Sequence, residues 1–167
     1  MNERFVTMEA KRLALNGSEL TVGSIAPDFT LLDTSLKFVS LKDFGTSNKL
    51  ISVVPSLDTG VCSKQTRHFN EQAGALENVK VITISVDLPF AQDRWCGSEG
   101  LDNVITLSDH YDVSFGRDYG TLIGELRLLA RAVFVLNSNN KITYVEYVPE
   151  LTDHPDYDQA LAALNKL

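Results

Sequence analysis

Alternating apolar positions in the first third of the chain predict β structure around a turn. Leu13 and Leu15 alternate with polar residues up to Asn16-Gly17, and the run 19–22 follows. Asn-Gly between two such runs is a strong hairpin signal, because both central residues of the turn need positive φ. Weaker strand candidates follow at residues 29–31 and 38–41. The pattern therefore predicts an N-terminal β-hairpin extension.

Apolar, β-branched runs alternate with helical patterns in the rest of the chain. The predicted strands are 50–54, 79–86, 104–107, 132–136 and 142–148. The predicted helical segments are 60–76, 155–164 and shorter pieces around 90–96 and 112–119. Strands that alternate with helices imply a partly parallel sheet covered by helices. The order of elements predicts an α/β, thioredoxin-like fold, with a mixed central sheet flanked by helices.

Length and charge narrow the class of protein. A chain of 167 residues with 44% hydrophobic and 22% charged residues fits a single globular domain over 1–167. The net charge of −7 argues against nucleic acid or an anionic membrane as the main partner. No apolar run has the length of a membrane span, and the N-terminal residues lack the features of a signal peptide. We therefore expect a cytoplasmic protein.

The chain has two cysteines, Cys62 and Cys96. A permanent structural disulfide is rare in the cytoplasm, so the pair is either two buried thiols that pack as small hydrophobic groups or a reactive pair. The sequence context of each cysteine has to decide between these alternatives.

Cys62 follows a predicted strand end, a proline-containing loop and a helix start. Thr59 is a good N-cap candidate, which makes Cys62 the third helical residue. A thiolate there meets unpaired backbone donors and the positive end of the helix dipole, and both favour the anion. Phe69, Ala73 and Leu76 share its helical stripe, so the thiol is recessed. An inert core cysteine would also lie on an apolar stripe, but it would not need to stand in the first turn of a helix.

A reactive thiolate also needs a donor that holds its substrate, a cation and partial exclusion of water. Thr59 offers a hydroxyl three residues before the thiol, and Pro55 can cover the sulfur. Arg131 opens an apolar strand, where a charge is costly unless it is paired, so it is the candidate cation. The alternative for Arg131 is an edge position with the head group in water. Arg67, on the helix of Cys62, is expected to be solvated.

Cys96 stands 34 residues after Cys62, a spacing that fits neither a Cys-x-x-Cys pair nor a zinc site. Its segment begins at Pro89 and meets Gly97, which predicts a short, weakly held helix. Such a segment opens locally at modest cost, as a resolving thiol requires. Phe90 and Trp95 are expected to hold this segment against the protein by packing, or to be ordinary core residues.

The histidines give little support to a Cys-His hydrolase. His68 lies about 120° around the helix from Cys62 and is expected at the surface. His110 and His154 are distant in sequence.

Two segments resemble a known family. Residues 55–62, Pro-Ser-Leu-Asp-Thr-Gly-Val-Cys, resemble the Pro-x-x-x-Thr-x-x-Cys motif of peroxiredoxins. Residues 85–96 resemble the resolving-cysteine segment of the bacterial thiol peroxidases, the atypical two-cysteine branch of that family. Residues 101–108 and 129–133 are also similar to this branch. The resemblance extends over essentially the whole chain.

The resemblance implies a thioredoxin fold, a peroxidatic Cys62, a resolving Cys96 in the same chain, and activation by Pro55, Thr59 and Arg131. The implied activity is reduction of hydrogen peroxide and organic hydroperoxides, through a sulfenic acid and an intramolecular disulfide, in antioxidant defence. It also implies thioredoxin as reductant, a homodimer and no metal, flavin or nucleotide cofactor.

Two other functions remain open at this stage. A disulfide oxidoreductase that acts on proteins is disfavoured by the missing Cys-x-x-Cys motif. A non-catalytic redox sensor or binding module would be oxidised once instead of turning over with a reductant.

Overall fold

The computed structural model describes residues 3–101 and 104–167. The strands of this part of the chain are β1 (Phe5–Met8), β2 (Lys11–Asn16), β3 (Thr30–Leu32), β4 (Phe38–Ser40), β5 (Asn48–Val53), β6 (Val79–Ser85), β7 (Ile105–Ser108), β8 (Leu122–Ile123), β9 (Leu128–Leu129), β10 (Ala132–Leu136) and β11 (Ile142–Tyr147). The helices are α1 (Gly60–Ala73), α2 (Pro89–Glu99), α3 (Ser114–Asp118) and α4 (Tyr157–Asn165), with a 3-10 turn at Leu41–Phe44. Of the segment 101–108, residues 102 and 103 lie outside the described residues.

The larger sheet has the strand order β11-β10-β5-β6-β7-β3-β4. Strands β5, β6 and β7 are parallel, and β10 runs antiparallel to β5. The parallel strands are buried on both faces, which explains their nearly continuous apolar sequences. Helix α1 follows β5 and α2 follows β6. Because these strands are adjacent and parallel, both cysteine-bearing helices begin at the same edge of the sheet.

Each face of this sheet is covered by a hydrophobic cluster. On one face, Phe69 of α1 and Leu164 of α4 pack with Leu50 and Val133. The other cluster includes Phe115 of α3 and Phe134 of β10. The predicted α/β architecture, a mixed sheet flanked by helices, is therefore what the chain forms.

The N-terminal hairpin exists, but its predicted turn at Asn16-Gly17 is wrong. Strands β1 and β2 pair antiparallel around Glu9 and Ala10, whose φ angles are 50° and 68°. Asn16 instead pairs with β8, and residues 19–22 are not in a strand of the described chain. Gly17 has φ +92°, and a Cβ there would lie 2.0 Å from the carbonyl oxygen of Arg117. This glycine therefore serves a close backbone approach instead of a hairpin turn.

The remaining predicted elements are confirmed to within a few residues, with two differences. Helix α1 ends at Ala73, so Leu76 lies beyond it and is 41% exposed instead of continuing the buried stripe. The short strands β8 and β9 were not predicted; with β1 and β2 they form a separate four-stranded sheet. Among the described helices, none is long and apolar enough to cross a membrane.

Candidate active site

The loop between β5 and α1 sets the position of Cys62. Thr59 is the N-cap residue, as predicted, with extended backbone angles (φ −106°, ψ 149°). Its side chain makes no capping hydrogen bond to the helix, and its hydroxyl donates to the carbonyl oxygen of Ser56 at 3.1 Å. The first-turn N–H groups of α1 therefore keep their partial positive charge close to Cys62, the third helical residue.

Cys62 and Arg131 form a buried pair. Nη2 of Arg131 lies 3.3 Å from Sγ of Cys62, and the two residues are 2% and 0% exposed. The guanidinium also donates to the carbonyl oxygen of Leu151 from Nη2 at 2.7 Å and from Nε at 3.3 Å. A buried charge is stable only when it is paired and hydrogen-bonded. The Cys62 sulfur is one of the partners that satisfy this buried guanidinium.

Gln65 is a site residue that the sequence reasoning missed. It is completely buried one turn after Cys62, and its Oε1 accepts from Nη1 of Arg131 at 2.8 Å. Its Nε2 donates to Oγ of Ser52 in β5 at 2.8 Å. Gln65 thus fixes the plane of the guanidinium against the sheet. A polar residue on the apolar stripe between Cys62 and Phe69 is the signal that could have revealed it.

The N-terminal hairpin supports the other side of Arg131. The backbone N–H of Thr7 donates to the carbonyl of Pro149 at 2.8 Å, and that of Leu151 donates to the carbonyl of Thr7 at 2.9 Å. These bonds hold the segment whose Leu151 carbonyl accepts from the guanidinium. The hairpin is thus part of the framework of the site.

An open cavity of about 390 Å³ lies over this site. The predicted residues Pro55, Thr59 and Arg131 all line it. Besides Pro55, apolar side chains in its wall are Met8, Val61, Leu128 and Leu151. Pro55 is buried in the loop that follows β5. The cavity can accept a small molecule with an apolar substituent.

The thiol of Cys62 also belongs to an apolar cluster that reaches α2. Val54, Leu57, Cys62 and Trp95 form this cluster, and Cys96 packs against it. Trp95 is 6% exposed, so its predicted packing role is confirmed. The prediction for Phe90 is wrong, since it is 67% exposed. Pro89, the first residue of α2, is the one buried at the start of this helix.

Cys96 lies half-buried in α2, with Sγ 4.0 Å from Oγ1 of Thr106. Both Cys62 and Cys96 are thiols in the structure. Two ion pairs connect α2 to the Cys62 side of the site, Arg94 with Asp58 at 3.7 Å and Arg67 with Glu99. Arg67 is thus half exposed, as expected, but it is paired.

The described contacts of the three histidines are with residues other than Cys62. The ring of His68 is half-buried against Tyr157, with centroids 4.3 Å apart, so its predicted surface position is only partly correct. Nδ1 of His154 lies 2.7 Å from the hydroxyl of Tyr157. His110 accepts a hydrogen bond from Arg127 through its carbonyl oxygen. None of these contacts reaches Cys62, so they give no support to a Cys-His hydrolase.

Fold and site together define a class. A thiol at the first turn of a helix, a buried guanidinium on its sulfur and an adjoining small-molecule cavity, set at the edge of a mixed sheet, are the features of a cysteine-based peroxidase. Comparison with known proteins supports this class and narrows it.

Residues 21–161 match the sequence model of the Redoxin family. The chain is 59% identical to the thiol peroxidase of Staphylococcus epidermidis, over 97% of this chain and 98% of that protein. It is 56% identical to the thiol peroxidase of Oceanobacillus iheyensis, over 96% and 98%. The peroxiredoxin-like protein of Aquifex aeolicus superposes with a TM-score of 0.89 at 38% identity, over 98% of this chain and 96% of that one. The thiol peroxidase of Chromobacterium violaceum superposes with a TM-score of 0.89 at 25% identity, over 97% and 95%.

The chain belongs to the redoxin family and, within it, to the thiol peroxidases. The predicted thioredoxin-like fold and the predicted class of enzyme, a thiol-dependent peroxidase, are thereby confirmed. The individual roles of the site residues stay predictions.

Proposed function

We propose that Cys62 is the peroxidatic cysteine, that Cys96 resolves it, and that thioredoxin returns the pair to thiols. The observation that carries this proposal is the 3.3 Å contact between Nη2 of Arg131 and Sγ of Cys62 inside a buried site next to an open cavity.

In the first step the Cys62 thiolate attacks the terminal oxygen of the hydroperoxide. The O–O bond breaks, the sulfur becomes a sulfenic acid, and the alkoxide or hydroxide leaves and takes a proton to give alcohol or water. Arg131 and the first-turn N–H groups of α1 stabilise the negative charge as it passes from sulfur to oxygen. Pro55 shields the reaction from bulk water.

Thr59 orients the peroxide in this scheme. Because its hydroxyl hydrogen is directed to the carbonyl of Ser56, its oxygen is available to accept from the O–H of the substrate. This contact aligns the O–O bond with the sulfur, which is the positioning that an in-line attack requires.

The cavity supports organic hydroperoxides, as well as hydrogen peroxide, as substrates. Its wall includes Met8, Val61, Leu128 and Leu151, which form an apolar surface beside Arg131. An alkyl group placed there is removed from water, at about 25 cal/mol per Å² of buried apolar area.

In the second step the Cys96 thiolate attacks the Cys62 sulfenic acid. An S–S bond forms as the S–O bond of the sulfenic acid breaks, and the hydroxide that leaves takes a proton to give water. Both sulfurs have to come within about 2.05 Å, so the start of α1 and the Cys96 segment open locally. A dithiol of the thioredoxin type then reduces the disulfide by exchange. A reducible cysteine pair of this kind suits the cytoplasm. The family resemblance supports a homodimer. It also supports a mechanism that needs no metal, flavin or nucleotide.

A coupled assay with thioredoxin, thioredoxin reductase and NADPH tests the proposal. Wild-type protein should turn over both hydrogen peroxide and cumene hydroperoxide. Cys62→Ser should abolish turnover, and substantial residual activity would overturn the assignment of Cys62. Cys96→Ser should consume one equivalent of peroxide without thioredoxin-linked cycling, whereas wild-type cycling would mean that another thiol resolves Cys62. An insulin-reduction assay run in parallel should be negative; insulin reduction would indicate a disulfide oxidoreductase.

A further inference from the structure

Asp87 lies between the two cysteine-bearing segments, in the short connection from β6 to α2. Its Oδ1 accepts from the hydroxyl of Ser56 at 2.7 Å, and its Oδ2 accepts from the backbone N–H of Leu57 at 2.8 Å. Oδ2 also accepts from the hydroxyl of Ser85 at 2.7 Å, which fixes the carboxylate to the end of β6. One carboxylate thus anchors the loop that precedes Cys62 to the sheet.

The two anchored loop residues act directly on the site. The carbonyl of Ser56 accepts the hydroxyl of Thr59 at 3.1 Å, so the bond from Asp87 to Ser56 also settles the orientation of Thr59. Leu57 is 2% exposed and packs against Cys62 in the apolar cluster. Through Ser56 and Leu57, Asp87 therefore sets the polar and the apolar surroundings of the sulfur.

The same residue begins the segment that carries Cys96. Asp87 directly precedes Leu88, the N-cap of α2, and its backbone carbonyl accepts from the hydroxyl of Ser108 at the end of β7. Gln92, completely buried in the first turns of α2, donates to Ser85, the residue that also donates to the Asp87 carboxylate. The hydrogen bonds of Asp87 thus join the loop of Cys62 to the start of the Cys96 helix.

We infer that Asp87 is a positioning residue that holds the Cys62 loop in its peroxide-reactive conformation and ties it to the Cys96 helix. This inference rests on the proposed function. The hydrogen bonds that favour reaction with peroxide oppose the opening that lets Cys96 reach Cys62. Asp87 therefore affects the two steps in opposite directions.

Stopped-flow fluorescence separates these steps, because Trp95 is the single tryptophan of the chain and packs against Cys62. Asp87→Ala should slow the oxidation of Cys62 by cumene hydroperoxide by about tenfold or more, since small displacements of reacting groups have large effects on rate. Disulfide formation in the same variant should be as fast as in wild type or faster. Asp87→Asn keeps one acceptor oxygen, so its rate of Cys62 oxidation should lie between those of wild type and Asp87→Ala.

A double-mutant cycle tests whether Asp87 acts through the loop. Ser56→Ala should reproduce part of the slower oxidation, and combining it with Asp87→Ala should give less than the sum of the two effects. Asp33→Ala is the matched control, because Asp33 accepts from the N–H groups of Ser35 and Lys37 in a turn away from both cysteines. This control should keep wild-type rates in both steps.

Several outcomes would overturn the inference. Oxidation of Asp87→Ala at the wild-type rate would do so, and parallel slowing of both steps would indicate a merely structural role. If Asp87→Ala does not fold, Asp87→Asn and Ser56→Ala decide by the same two rates. A wild-type protein that peroxide does not oxidise would contradict the proposed function itself, which keeps the two failures distinct.

Discussion

Arg131 and Cys62 are 69 residues apart in the chain, yet their side chains meet at 3.3 Å. The register of the sheet brings them together. Ala132, the first residue of β10, pairs with Val53, the last residue of β5. Arg131 therefore stands beside the loop that leads from β5 into α1, where Cys62 completes the first turn. The central feature of the site follows from one antiparallel strand pairing.

Replacement of Arg131 by lysine should slow the oxidation of Cys62 by about 10²- to 10³-fold, the usual effect of losing a donor that stabilises developing charge. Lysine keeps the charge but cannot contact Gln65, Leu151 and the sulfur together. The measurement is the second-order rate of thiol loss with cumene hydroperoxide. Arg127→Lys, an exposed arginine bound to a backbone carbonyl, is the control and should react as wild type does. An unchanged rate in Arg131→Lys would mean that charge alone suffices.

Thr59→Val should slow the same step by about 10- to 100-fold, whereas Thr59→Ser should stay close to wild type. Valine has nearly the shape of threonine but lacks the hydroxyl that bonds Ser56 and faces the cavity. Rates with hydrogen peroxide and with cumene hydroperoxide should fall together, because the hydroxyl contacts the group that both substrates share. Equal rates for the valine and serine variants would remove Thr59 from the mechanism.

Oxidation should expose Trp95. This residue is 6% exposed and packs with Cys62 in the reduced protein, so an opening of either cysteine segment removes part of its cover. Acrylamide quenching of its fluorescence should increase when the disulfide forms and return to the reduced value with dithiothreitol. The Cys96→Ser variant should show a smaller change after peroxide. Quenching that is identical in the reduced and disulfide forms would contradict a local opening of α2.

Asp109 should make the stability of the protein depend on pH. Burial raises its pKa from the ordinary value of 3.8 to about 6, although hydrogen bonds from the N–H groups of Gly116 and Phe115 act in the opposite direction. The folded state therefore binds the proton of Asp109 more tightly than the unfolded state does, which stabilises the folded protein. This stabilisation is fully present below about pH 4 and is lost as the pH rises through about 6.

Urea unfolding of wild type and Asp109→Asn measures this contribution. The free energy of unfolding of wild type relative to the variant should fall by up to about 3 kcal/mol between about pH 4 and pH 7.5. A difference that is constant over this range would show that Asp109 titrates normally. Asp33→Asn, in an exposed turn, is the control.

The sequence predicted the elements that carry the chemistry better than those that support them. Strong local patterns, such as the buried run 50–54 and the helix after Thr59, are confirmed because tertiary contacts agree with them. The hairpin failed because its real turn, at Glu9 and Ala10, takes positive φ without Asn or Gly. Gly17 has positive φ for another reason, the approach of the Arg117 backbone.

In the candidate site, too, the residues that carry the chemistry were easier to predict than those that support them. Cys62, Thr59 and Arg131 were predictable from helix-start chemistry and from a costly charge in an apolar run. The stripe of Cys62 could have singled out Gln65 as an unusual polar residue, but not its partner. The contacts of Gln65 and of the Leu151 carbonyl with Arg131 join segments that are distant in the chain. Asp87 was also missed, since its partners Ser56 and Leu57 precede it by about thirty residues.

Oxidation of the reduced protein with one equivalent of hydroperoxide, followed by peptide mapping without reductant, tests the central claim most directly. The account predicts the loss of both thiols, a mass lower by two hydrogen atoms, and a single cross-linked peptide that joins Cys62 to Cys96. A protein that gains oxygen on Cys62 while Cys96 stays a thiol, or one that forms only disulfides between chains, would contradict it.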